Sequence, residues 1–156
     1  MTPPRIYLES TIPSYLVARA SRDVILRGQQ EATKQWWRHG RLTARCYVSE
    51  VVEDEIGDGD PVMAVQRIEA IRGMPMLAFD DEATELAGRI LATGLIPPKA
   101  SADATHIAIA VVHGMDILLT WNCSHIHNVA IERRIEAVCT RLGYEWPVIC
   151  TPYDLL

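Results

Sequence analysis

Three carboxylates and one amide stand out for what they could do together: Glu9, Glu55, Asp103 and Asn122. None has a Lys or Arg beside it in the sequence. Brought to one place, the acids would repel one another unless a cation or protons neutralise them. Oxygen-only ligands suit Mg²⁺ or Mn²⁺ rather than zinc. An ion so held typically serves phosphates, activating water and stabilising charge that develops on phosphoryl oxygens. Taken singly, each acid has a plainer explanation: an Asp at a helix start caps it or meets its dipole, and an acid at a strand end is solvated. The chemistry therefore rests on their convergence.

Those positions follow from the elements around them. Residues 5 to 9 (RIYLE) form a short β-like run, and Thr11-Ile12-Pro13 predicts an extended or turning backbone after it. A helix is expected over 21 to 39, stopped by Gly40, then a strand over 42 to 48, and Ser49 caps a helix holding Glu50, Glu53, Asp54 and Glu55. Asp60-Pro61 opens another helix, 74 to 79 reads as a strand, and Asp80 or Asp81 starts the next helix. Ser101 is expected to cap an almost wholly apolar helix over 102 to 113; a strand over 116 to 120, a helix over 130 to 142 and a strand over 147 to 150 follow. Strands that alternate with helices, and are apolar throughout, point to a parallel sheet covered on both faces.

In such a sheet the functional crevice lies beyond the carboxyl ends of the strands, where the helices leading into the next strands also begin. Glu9 closes the first strand, Asp103 lies in the first turn of the helix leading into DILLT, and Asn122 follows that strand. Glu55 sits two turns into its helix, roughly 9 Å from the start, so it reaches the crevice only if that helix packs alongside.

Other signals carry less. His106, one turn past Asp103, could orient that carboxylate, act as a base, or be a packed core histidine. Cys123, His125 and His127 alternate, yet three local ligands fall short of a zinc site, and structural or substrate-facing roles are preferred. Trp36 and Trp37 beside Arg38, Arg41 and Arg45 could stack and bind single-stranded RNA, although adjacent residues cannot both face one side of a helix. No phosphate-binding loop, dinucleotide fingerprint, nucleophile elbow or H-E-x-x-H is present.

The chain has 156 residues, 49% apolar and 22% charged, which excludes disorder and fits one domain over 1–156. No apolar run approaches the roughly 20 residues of a membrane helix, and no signal-like segment opens the chain, so a cytoplasmic protein without membrane contact is expected. Four cysteines without C-x-x-C spacing suit reduced thiols there. The net charge of -5 is lopsided, +5 over residues 1–45 and -10 over the rest. That asymmetry suits either a basic rim for a polyanion beside an acidic cation site, with the Arg-rich first helix the candidate rim, or two solvated faces.

YLESTIPSYL, VSEVVEDEI, SADATHIAIAVVHGMDILLTWNCSHI and ICTPYDLL together resemble a PIN domain close to the VapC-type toxins, over nearly the whole chain. The resemblance implies an α/β domain with a five-stranded parallel sheet and a metal-dependent ribonuclease whose acids are Glu9, Glu55 and Asp103, with Asn122 at the fourth place. Ser10 matches the hydroxyl residue after the first acid, and Glu55 is chosen over Glu53 because it directly precedes an apolar residue, Ile56. For a toxin, the resemblance further implies an RNA substrate, a small antitoxin partner covering the site, and a homodimer. Two positions depart from the pattern, Glu9 and Asn122 standing where Asp is usual. The lost charge at Asn122 weakens an Mg²⁺ site, so a second expectation is a catalytically weakened PIN-like module that binds RNA or regulates. A small-molecule phosphatase using the same acids is a third.

Overall fold

In the computed structural model, which describes residues 2–156, five strands alternate with seven α-helices. The strands are β1 (Arg5–Leu8), β2 (Arg45–Ser49), β3 (Met76–Leu77), β4 (Ile117–Leu119) and β5 (Val148–Cys150). The helices are α1 (Thr11–Val17), α2 (Val24–His39), α3 (Glu50–Ile56), α4 (Pro61–Ala70), α5 (Asp81–Ala92), α6 (Ser101–Val112) and α7 (Val129–Arg141). All strand pairs are parallel, in the order β3-β2-β1-β4-β5. The order runs one way from β1 to β3 and the other way from β4 to β5, so the sheet has its topological switch between β1 and β4. In open parallel sheets the place for a ligand is beyond the strand ends at such a switch.

Ile6, Tyr7 and Leu8 of β1 are buried, as are Leu118 and Leu119 of β4, because each face of the central strands is roofed by helices. The most apolar helix, α6, is the most deeply packed: Ala104, His106 and every residue from Ile107 to Val111 are buried. No helix is long and apolar enough to cross a membrane among the described residues.

The caps follow the sequence. Asp23, Ser49, Asp60, Asp80 and Asn128 each accept a backbone N–H from the first turn of the helix they open. Three expectations are corrected. The segment expected to be extended or turning after β1 is helix α1, with Pro13 at its third position, where a backbone N–H has no intrahelical partner to lose. Ser101 is the first residue of α6 rather than its cap; Ala100 precedes the helix without a side-chain cap. Residues 40–43 form a 3₁₀ turn, so β2 begins only at Arg45, and β3 is two residues long.

Candidate active site

The crevice at the β1/β4 switch is built from consecutive backbone. Glu9 extends β1 by one residue, its N–H donating to the Leu119 carbonyl (3.1 Å), and its side chain is 4% exposed. Glu9 Oε1 accepts from the Thr11 N–H (3.2 Å), the Thr11 hydroxyl (2.5 Å) and the Thr120 hydroxyl (2.7 Å). A carboxylate this buried is held by these three donors, which stand in for water at Oε1. The next residue, Ser10, donates its hydroxyl to Glu55 Oε1 at 2.8 Å, so α3 does pack alongside the crevice and brings Glu55 into it.

His106 Nε2 donates to the same Glu55 oxygen, while Nδ1 shares a hydrogen bond of 2.7 Å with the Tyr7 hydroxyl. The Tyr7 hydroxyl in turn meets Ser49 Oγ at 2.8 Å, and Ser49 Oγ accepts the Val52 N–H at the start of α3. Asp103, in the first turn of α6, accepts from His125 Nδ1 through Oδ2 at 2.8 Å. Asn122 Oδ1 accepts from the N–H groups of Ser124 (3.2 Å) and His125 (3.1 Å), closing the turn that carries His125 to Asp103.

Glu9, Glu55 and Asp103 all act electrostatically on His106. Burial alone would push its pKa down, but the hydrogen bond to Glu55 and the charges of Glu9, Glu55 and Asp103 carry it above the ordinary imidazole value. Burial would raise Glu55, yet the bond and charge of His106 and the Ser10 hydroxyl leave it below its ordinary value. Among the described residues the only basic side chains paired with these three acids are histidines, His106 with Glu55 and His125 with Asp103.

Each acid commits one oxygen to protein donors and leaves the other without one: Glu9 Oε2, Glu55 Oε2 and Asp103 Oδ1, counted among the described residues. Hard oxygens fixed from behind and free in front are the donor chemistry of Mg²⁺ or Mn²⁺. The acids do not already close on one point, since no three His, Cys, Asp or Glu side chains among the described residues form a ready-made cage.

The structure brings Glu9, Glu55 and Asp103 to one edge, and His106 is a packed, hydrogen-bonded core histidine. His106 holds Glu55 rather than Asp103, and the partner of Asp103 is His125. His127 lies 3.4 Å from Glu132 and Cys123 is exposed, so the alternating trio does not converge. Thr11, Thr120 and Tyr7 were missed; Thr120 directly ending a buried apolar strand was the available signal. Trp36 is core, 1% exposed, and Trp37 is covered by Arg41, whose guanidinium lies 4.9 Å from the ring centroid. That cluster precedes Arg45 at the amino end of β2, the sheet edge opposite the acids. The Trp121 indole N–H donates to Thr33 just beyond β4, so only the half of α2 before Thr33 projects past the acidic edge.

No family model and no curated protein matches this chain. Among solved structures it is similar to VapBC2 from Rickettsia felis, determined bound to a DNA fragment from their promoter. The TM-score is 0.60 at 11% identity, over 94% of this chain and 98% of that one. The shared property is the fold, and the fold is PIN-like.

Proposed function

We propose that this PIN-like domain is a metal-dependent endoribonuclease that hydrolyses RNA phosphodiester bonds, the toxin half of a type II toxin–antitoxin pair. The observation that carries the reading is the gathering of Glu9, Glu55 and Asp103 around His106 at the switch point, each with one oxygen free of protein donors. Glu9, Glu55 and Asp103 would hold Mg²⁺ or Mn²⁺, with Asn122 at the fourth place. When bound, the ion supplies water activation and neutralises charge developing on the phosphoryl oxygens.

The chain's own residues hold the acids ready. Thr11 and Thr120 fix Glu9, Ser10 and His106 fix Glu55, and His125 fixes Asp103. The exposed Arg22 and Arg27 flank the start of α2 on the side that projects past the acids, and in this reading they take the RNA phosphates. The likeness to VapBC2 supports a small antitoxin that covers the acids; the homodimer belongs to the same reading.

Mn²⁺ titrated into wild type and Asp103→Asn, each freed of copurifying protein, with cleavage of a mixed RNA pool followed, tests it. Cleavage that needs both metal and Asp103 is expected; cleavage unchanged in Asp103→Asn overturns the assignment. One observation favours a second reading, a catalytically silent RNA-binding module: Asn122 brings no charge and spends its Oδ1 on the loop. Metal and RNA binding without turnover would establish that module instead.

A further inference from the structure

Tyr7, Ser49 and His106 are polar side chains with no solvent exposure, in a core that is otherwise mainly apolar. Such groups destabilise a core unless every donor and acceptor is met, and an apolar set of the same shape would serve stability at least as well. Ser49 has a separate duty as the cap of α3. Tyr7 and His106 have none in the backbone. Their hydrogen bonds instead form one line: Val52 N–H to Ser49 Oγ (3.2 Å), Ser49 Oγ with Tyr7 OH (2.8 Å), Tyr7 OH with His106 Nδ1 (2.7 Å), and His106 Nε2 to Glu55.

The direction of that line is set at its start. The Val52 N–H can only donate, so Ser49 accepts there and has its own hydroxyl hydrogen to give to Tyr7. Tyr7 then gives its hydrogen to Nδ1, and the ring hydrogen stands on Nε2, facing Glu55. The reverse order would leave the Ser49 hydroxyl hydrogen without an acceptor at a fully buried position. A doubly protonated ring presents the same Nε2–H to Glu55, with Nδ1–H then donating to the Tyr7 oxygen. The line starts on α3 and returns to α3 one turn later, passing through β2, β1 and α6, so it ties four elements to one carboxylate.

We propose that Tyr7 and His106 are positioning residues for the cation site: the Ser49–Tyr7–His106 line pins Glu55 by Oε1 and leaves Oε2 as the oxygen that takes the ion. His106 has no exposed surface and touches no substrate, so it acts through Glu55 alone. The inference rests on the metal-dependent reading above.

The test is calorimetric titration of Mn²⁺ into wild type, Tyr7→Phe, His106→Leu and His106→Gln, beside urea unfolding of the metal-free proteins. Tyr7→Phe keeps the ring and removes only the hydroxyl, so it guards against a His106→Leu chain that fails to fold. His106→Leu is expected to weaken Mn²⁺ binding by about 10- to 100-fold, the usual cost of losing a partner behind a ligand, and Tyr7→Phe, one bond further back, by up to about 10-fold. His106→Gln, which keeps an N–H donor, restores most of what His106→Leu loses, a rescue that general loosening of the core would not give. In RNA cleavage kcat falls and KM stays. Wild-type Mn²⁺ affinity in folded Tyr7→Phe overturns the positioning role alone, and a wild type that binds no Mn²⁺ overturns the metal-dependent reading together with it.

Discussion

Thr120 donates its hydroxyl to Glu9 across the seam between β4 and β1, at 2.7 Å and with both residues buried. The same oxygen accepts the Asn122 N–H at 2.9 Å, so one threonine fixes the first acid and the loop after β4 together. Thr120→Val keeps the shape and removes both bonds. We expect a loss of about 1.5–3 kcal/mol of stability in urea, the range for a hydrogen bond to a charged group, together with weaker Mn²⁺ binding. A stability within 0.5 kcal/mol of wild type, inside the usual surface-mutation scatter, would show that the seam does not depend on it.

The Glu55–His106 pair predicts a stability profile for the metal-free protein. His106 titrates above its ordinary 6.5, so its contribution is full below that pH and is lost as pH rises through the raised value. Glu55 titrates below its ordinary 4.5, so its contribution is present above that pH and is lost as pH falls through the lowered value. The pair therefore helps most between about pH 4.5 and 6.5. Its amplitude is modest, because the Glu55 side chain is 38% exposed and water screens it. Urea midpoints measured across pH should decline on the alkaline side in wild type and not in His106→Gln.

Asn122→Asp keeps the two backbone N–H bonds that shape the loop and adds a negative charge beside Asp103 and His125. Mn²⁺ affinity should rise on the order of tenfold, about 1.4 kcal/mol. An unchanged dissociation constant would remove Asn122 from the fourth place.

Arg22→Ala and Arg27→Ala should raise KM for RNA and flatten its salt dependence, each by roughly one phosphate contact. Arg38→Ala and Arg45→Ala, on the far side of the sheet, should change neither. Equal effects from both pairs would mean that RNA does not enter over the start of α2.

Much of this architecture could be read from the chain because it is written locally. Apolar runs gave the central strands, and Ser49, Asp60 and Asp80 marked helix starts where short polar residues meet orphan N–H groups, whereas the helix expected from residue 21 begins at Val24, capped by Asp23. Helix α1 was hidden because Pro13 reads as a breaker unless its place in the first turn is known. The acids were legible because strand ends and helix starts share an edge in a parallel sheet. The histidine partners were not, since His106 and Glu55 lie 51 positions apart and His125 and Asp103 lie 22 apart. Tyr7 was disguised by its neighbours: in the run Ile6-Tyr7-Leu8 a hydroxyl looks like one more large core side chain.

The pairing of the first strand with the fourth also sets a timetable. Glu9 leaves the ribosome 111 positions ahead of its partner Thr120. Until β4 has emerged, β1 lacks its neighbour on that side and the crevice has one wall. A chain interrupted between Asp103 and Thr120 holds all three acids but lacks the seam that fixes the first of them, so the acids are complete in sequence before they can be assembled in space.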